Sequence, residues 1–401
     1  MTTTADSRMR PEARHVVRDL PAEHLDDLVF LLAQRDLAVT SHVHFVPHLA
    51  ALDERIAADL LGLAVTPRHA APAVEDALGG SDGEVLAAGA RAVAHLAQPA
   101  LWRTFDEALL SAKPAAAVAL AHGLVGAPTA SVRPRLAAWA ELQRAAPPHV
   151  AIALGEVAAA HGSAPTAAAL APGFTHDDAA VRAAALRAAQ HAGVVAPVLG
   201  ELAAQDPDPG VREAALLAGL WTRAPWCGGL VTRLLAEPAT APAGCVTLAA
   251  AVAEADALPK LRAHAANTAL GPARFGWLAD AGWSELLPLL LEGLDAPEAA
   301  DATAAAEAFA RLTGVGSPAV RANAAAAGAD PVYAPDPARA RAHWASDSKR
   351  YLPGKRWAQG MALEPGDAPA TVDLGAARLA RIRARHSGRG SATSRELLRL
   401  A

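Results

Sequence analysis

The sequence predicts an all-α protein assembled from stacked helical hairpins, an α-solenoid closed by distinct N- and C-terminal caps. Three observations carry that expectation. Over 401 residues, 52% are hydrophobic but only 4% aromatic, so the apolar content is mostly alanine, leucine and valine, and alanine and leucine are strong helix formers. No run of β-branched or aromatic residues alternates with the period of two that a half-buried strand needs. The third observation is an internal echo: "HDDAAVRAAALRAA" (176–189) returns 30 residues later as "DPDPGVREAALLAG" (206–219). A helical unit recurring at about 30 residues is the mark of a repeat array.

Each part of the echo has a physical reason. Asp208 is a good N-cap, because its carboxylate accepts first-turn amides and favours the positive end of the helix dipole. Pro209 follows at N1, where a missing N–H costs nothing. The alanines allow close approach to neighbouring helices, and Val211 and Leu216 bracket the face to be buried. Behind each copy comes a second apolar stripe: Val195, Val198, Leu199 and Leu202 in one, Leu230, Val231, Leu234 and Leu235 in the other. Helix, short turn, helix is the expected unit, with about two extra residues in the second turn.

Taken in order, the other segments fit the same plan. Leu25, Leu28, Val29 and Leu32, then Leu49, Leu52, Ile56, Leu60 and Leu63, lie at helical spacing. Their larger side chains suit a cap over residues 1–70. From 71 to 328, Pro- and Gly-punctuated helical patterns follow one another without a Ser- or Gly-rich linker, predicting one continuous array. Residues 329–401 change character. The stretch 330–360 collects both tyrosines, two of the eight tryptophans and six basic residues, and a basic tail follows in which Arg378, Arg381 and Arg385 would share a helix face.

The repeat pair resembles HEAT repeats of the short bacterial type, in which an acidic residue precedes a V-R-x-A-A-L helix start. That resemblance implies an inter-repeat ladder joining arginine to acid, and the matching positions are Asp178, Arg182, Asp208 and Arg212. Further motifs occur together in order: Leu52-Asp53-Glu54-Arg55 with Leu60, Gly62 and Leu63; Phe309, Thr313 and Gly314; then Trp344, Tyr351, Gly354, Arg356 and Gly360. They resemble an uncharacterised family of bacterial HEAT-repeat proteins often encoded beside type VI secretion genes. This chain departs from that pattern with Asp59 where the family usually has histidine, and with a single Trp344 and Lys355-Arg356-Trp357 in place of a double tryptophan and a Thr-Arg-Tyr. The family brings no established activity with it.

Composition and motifs also narrow the function. A net charge of −5 is a poor match for a polyanion and argues against nucleic acid. The N-terminus lacks the apolar core of a signal peptide, and the uncharged stretch 115–132 is too broken by Gly and Pro to span a bilayer. Cys227 and Cys245 show neither metal-ligand spacing nor a disulfide framework, which predicts a reducing, cytoplasmic setting. His42, His44 and His48 form an H-x-H-x3-H array with no further ligand nearby, so no metal is expected. Asp53, Glu54 and Arg55 are read as inter-helix ion-pairing residues, because adjacent carboxylates on a helix diverge by about 100°. There is no G-x-S-x-G, no phosphate-cradling glycine loop and no HExxH. Trp102, Trp139, Trp221, Trp226, Trp277 and Trp283 are expected to fill gaps between alanine-lined helices.

The expected function is therefore a non-enzymatic scaffold or adaptor, needing no cofactor, whose partner is a protein; the family resemblance implies a component of a type VI secretion or similar contractile apparatus. Trp344, Arg350, Tyr351, Arg356 and Trp357 are the expected partner-binding residues, since Arg, Tyr and Trp dominate interfaces. The alternative is a HEAT-like nucleic-acid-binding protein or DNA glycosylase, for which the basic tail would supply the charge.

Overall fold

Aspartate and proline decide where the helices begin. Asp82, Asp178, Asp208, Asp336 and Asp373 each accept a first-turn amide with the side chain, and Pro67, Pro99, Pro114, Pro148, Pro209 and Pro337 each open a helix. The computed structural model describes residues 11–42, 44–315, 320–321, 333–334, 336–363 and 373–388. It is all-α. Among the described residues the only strands form two short antiparallel pairs. Residues 1–10, the 328/329 boundary and the basic tail beyond 388 lie outside the described residues. No described helix is long and apolar enough to cross a membrane.

The chain forms two compact units, divided between Val198 and Leu199, with the short segment Ser41–Val46 belonging to the second. The division falls inside the span 71–328 that was read from the sequence as one continuous array.

The first unit contains α1 (Pro11–Thr40), α2 (Val46–Val65), α3 (Pro67–Leu78), α4 (Gly83–Leu96), α5 (Pro99–Ser111), α6 (Pro114–Val125), α7 (Thr129–Val132), α8 (Leu136–Ala145), α9 (Pro148–Ala160), α10 (Ala167–Phe174) and α11 (Ala179–Ala192). Helices α4, α6, α9 and α11 pack in succession. Small residues make this possible. A Cβ on Gly123 of α6 would lie 2.1 Å from the carbonyl oxygen of Ala87 in α4, so any larger residue would force the pair apart. Trp102, Phe105 and Trp139 fill the wider gap between α5 and α8, with ring centroids 5.7–5.9 Å apart. Asp106 accepts the Trp139 indole N–H at 2.8 Å and pairs with Arg135. Arg35 of α1 donates to Asp53 of α2 at 2.6 Å, an ion pair at the inter-helix boundary. His24 and Asp59 meet across the same two helices at 3.0 Å.

The second unit contains α12 (Val198–Gln205), α13 (Pro209–Thr222), α14 (Cys227–Ala236), α15 (Ala243–Val252), α16 (Leu258–Ala266), α17 (Ala273–Ala281), α18 (Leu287–Gly293) and α19 (Ala299–Thr313). Then follow β1 (Val320–Arg321) paired with β2 (Tyr333–Ala334), α20 (Pro337–Asp347), β3 (Arg356–Ala358) paired with β4 (Met361–Leu363), and α21 (Leu374–His386). Here α13, α15, α17 and α19 pack in succession. The echo is visible in the backbone: α11 and α13 start 30 residues apart, have equal length, carry Asp caps and end at a left-handed residue, Gly193 or Arg223. Val195 departs from the expected stripe. It precedes the helix and is exposed, because Pro197 keeps its predecessor out of helical geometry. Trp102, Trp139, Trp221, Trp277 and Trp283 are buried, and Trp226 is half-buried.

Charged side chains tie neighbouring layers together. Arg187 of α11 donates to both carboxylate oxygens of fully buried Glu156 on α9, at 2.6 and 3.1 Å. Burial works against the Arg187 charge, but Glu156 outweighs it and raises the pKa. Arg274 of α17 makes the equivalent fork to Asp301 of α19, at 2.9 and 2.6 Å. Replacing Glu156 with Ala strands a guanidinium above the core, and we expect a loss of about 3 kcal/mol in urea unfolding. His191 lies close by, and its burial lowers the pKa to about 4. The unfolded imidazole takes up its proton first as pH falls, so this stabilisation is complete above about pH 6.5 and fades toward pH 4. Unfolding at pH 5 should show about 2 kcal/mol less stability from this group than at pH 7, a difference absent in His191→Gln.

Candidate functional site

The Arg/Trp/Tyr block is held at the end of the second unit by α20 and the β3–β4 hairpin. Asp336 accepts the Arg339 amide and starts α20, which carries His343 and Trp344. Trp344 stacks on Tyr351 with centroids 5.9 Å apart and planes at 22°, and Tyr351 meets Trp357 edge-on at 4.7 Å. The Tyr351 hydroxyl and His343 Nε2 are 2.8 Å apart. Arg350 lies outside this stack, donating to the Gly360 carbonyl at 2.5 Å with its guanidinium 5.7 Å from the Trp357 ring.

The hairpin is bound by backbone. Trp357 N–H donates to the Gly282 carbonyl that ends α17, at 2.7 Å, while Gln359 and Gly360 N–H donate to Arg311 and Leu312 at the end of α19. A Cβ on Gly360 would lie 2.5 Å from the Thr313 carbonyl oxygen, and one on Gly314 would lie 2.7 Å from the Gln359 backbone. The A-x-A-F-A-R-L-T-G end of α19 and the turn at Gln359-Gly360 therefore meet as the two sides of one joint.

Arg356 reaches furthest inward. It donates to Ala251 and Ala253 at the end of α15, at 3.0 and 2.6 Å, and to Ala281 at the end of α17, at 2.9 Å. Its guanidinium lies 4.1 Å from the Trp283 ring centre. Burial lowers its pKa to about 10, with Glu254 opposing. Arg383 of α21 donates to the Ala251 and Asp280 carbonyls, at 2.7 and 3.1 Å, and Arg385 to that of Trp221 at 3.2 Å. Burial brings Arg383 down to about 9, helped by Arg356. Both remain charged at neutral pH.

Of the five residues expected to present a partner surface, three are buried. Tyr351, Arg356 and Trp357 are 5%, 8% and 6% exposed, because the aromatic rings close the last layer and the guanidinium satisfies helix ends. Trp344 is half-buried; Arg350 is the exposed member of the five. Arg378, Arg381 and Arg385 likewise do not form an open basic face, since every residue of α21 is buried or half-buried.

A second polar cluster escaped the sequence reading. Asp373 is fully buried and caps α21 through the Ala376 amide at 2.7 Å. Its carboxylate also contacts His42 Nδ1 at 2.8 Å and accepts from the Gln359 amide at 3.2 Å. Burial pushes the Asp373 pKa up, but the His42 contact and the two amides outweigh it and hold the carboxyl below its ordinary value. His42 Nε2 lies 3.6 Å from Asp280, which pairs with Arg311 of α19. Both imidazole nitrogens therefore face carboxylates, and the cluster pins His42 to the start of α21, aided by the Leu374 N–H to His44 carbonyl and Gly375 N–H to Ser41 carbonyl bonds. His42 and Asp373 are 331 residues apart, a separation no local spacing signals; the Asp-Leu-Gly-Ala-Ala cap pattern was the available sign.

Of the expected ladder, Asp178 and Asp208 accept amides of their own helices, and Arg182 donates to the carbonyls of His176 and Asp177 at 2.8 and 2.9 Å. His44 Nδ1 is 2.9 Å from the Ser41 hydroxyl, and among the described residues no three His, Cys, Asp or Glu are grouped to hold a metal ion. Cys227 and Cys245 are buried, and burial pushes their thiols up to about 12 and about 11, so neither is a ready thiolate at neutral pH. No protein-family model matches the chain, and no curated protein matches it.

Arg356→Lys keeps the charge but loses the fork that reaches three carbonyls. We expect it to destabilise the second unit by about 2–3 kcal/mol, whereas Lys349→Ala, on an exposed side chain, should stay within about 0.5 kcal/mol. Guanidinium unfolding followed by tryptophan fluorescence measures both.

Proposed function

We propose that this chain is a non-enzymatic scaffold or adaptor that holds another protein, with docking through the solvent face of its first two helices. The observation that carries the reading is where apolar side chains are exposed. Seven large hydrophobic residues are conspicuously open among the described residues, and four lie on α1 and α2: Phe30 and Leu37, Leu61 and Val65. Phe30 and Leu37 are seven apart and so share one face of α1, opposite Leu25 and Leu28, which are buried. Leu61 and Val65 are four apart on α2, opposite buried Ile56, Leu60 and Leu63. A helix that is apolar on its outer side as well as its inner one gains stability when a partner covers it.

The arginines of α21 support the same reading. As an exposed tail they were the main argument for nucleic acid, but Arg383 and Arg385 donate to helix carbonyls. The motif resemblance supports a contractile secretion apparatus as the setting.

The test is affinity capture from native host cells at endogenous expression. A stoichiometric protein partner is expected, and Phe30→Ser with Leu37→Ser should reduce its recovery at least about tenfold, equivalent to about 1.4 kcal/mol, while the melting curve stays unchanged. Recovery of no partner, or saturable low-salt binding to duplex DNA by the unmodified chain, would reject the proposal.

A further inference from the structure

The internal repeat supplies its own control for one unusual arginine. Arg182 and Arg212 occupy the same position in consecutive copies, each four residues after its capping aspartate. Arg182 is 8% exposed and donates to two carbonyls of the loop before its helix. Arg212 behaves differently. Its Nε is shielded from solvent and has no hydrogen-bond partner among the described residues. A buried donor without an acceptor is disfavoured by roughly 1–3 kcal/mol and calls for an explanation.

The half-buried remainder of the same guanidinium side chain is what a ligand can reach. Arg212 lines a cleft of about 260 Å³ within the second unit, formed by α12, α13, α14 and the turn after α14. Arg233 lines the same cleft, together with Gln205, Glu237, Leu230 and Leu234. Two guanidiniums and one carboxylate leave a single net positive charge. Guanidinium forks match the two oxygens of a carboxylate in geometry and charge. A phosphate dianion or nucleic-acid strand would overcompensate that charge and meet Glu237. Leu230 and Leu234 add an apolar wall suited to the methylenes behind a carboxylate. The volume falls just below the range for drug-sized ligands, which fits a short organic acid or one acidic side chain of a peptide.

We propose that this cleft is a binding site for a carboxylate-bearing ligand, with Arg212 and Arg233 as the gripping residues. The inference does not depend on whether α1 and α2 dock a protein, since it concerns the second unit and different chemistry.

The full chain, labelled for observation of arginine Nε–Hε resonances, is titrated at constant ionic strength with sodium glutarate, with acetyl-Ala-Glu-Ala-amide and with inorganic phosphate. Glutarate or the peptide should shift the Arg212 resonance saturably, with Kd of about 1–10 mM. Tighter binding of glutarate identifies a small acid as the natural class, and tighter binding of the peptide identifies an acidic protein segment. Arg233→Gln, on an exposed side chain, should weaken binding about tenfold with an unchanged melting curve, and Arg212→Lys should do the same by removing the fork. Glu237→Gln should tighten it several-fold. The proposal is overturned by an Arg212 resonance that does not saturate up to about 50 mM, by phosphate binding tighter than either carboxylate, or by an Arg233→Gln titration identical to that of the unmodified chain.

Discussion

Helix ends are the constraint this fold has to solve. A protein made of many short helices has many C-terminal turns, each with carbonyls that find no partner inside the helix. Where those ends are buried, something must donate to them. In the second unit the donors are arginines from the C-terminal segment, and the acceptors recur with the repeat: Trp221 at the end of α13, Ala251 at the end of α15, Ala281 at the end of α17. These carbonyls are 30 residues apart in sequence: Arg385 serves the first, Arg356 and Arg383 the second, and Arg356 also the third. The negative end of each helix dipole adds to the attraction. Elsewhere the same demand is met locally: Arg91 donates to Gly123 and Gly126 at the end of α6, and His161 and His264 each lie 2.8 Å from a carbonyl at the end of a neighbouring helix.

This constraint explains what the sequence revealed and what it withheld. Helix starts were legible, because an N-cap is a local event: Asp208 and Pro209 lie next to the amides they serve, and so do Asp178, Asp336 and Asp373. Core stripes such as Leu25 and Leu28 were legible for the same reason, since helical spacing brings them together. The candidate site was not. Arg356 looks like an interface residue by type, and nothing near it in sequence reveals that its acceptors are Ala251 and Ala281. A carbonyl needing a donor has no residue signature, and alanine, which contributes no side-chain chemistry, occupies both positions. The Tyr351–Trp357 contact was hidden likewise: large aromatic residues suit a buried last layer and an exposed anchor equally well.

The two clusters at the C-terminal end also divide structural from functional chemistry. Arg356 and Asp373, which are buried, and Arg383 and His42, which are half-buried, are charged or polar groups held by dense partners, a pattern that also marks active sites. What distinguishes them is the identity of the partners. Backbone carbonyls, helix amides and opposite charges already occupy the donors and acceptors of the arginines and of Asp373, so their polarity is committed to positioning α21 and the hairpin.

Arg212 shows the opposite case when set beside Arg182. The two share a repeat position, a preceding aspartate cap and the same helix geometry, so local sequence alone prescribes the same role for both. One is satisfied by carbonyls of its own loop and the other faces a cleft beside a second guanidinium. Repeats preserve the backbone that places a side chain but leave its neighbours free to change, and Arg233 on α14 has no arginine counterpart on α12, where the paired helix reads VLGELAAQ. Divergence between copies of one unit, rather than any single conspicuous motif, is where a repeat architecture can acquire a binding site while its stacking geometry stays intact.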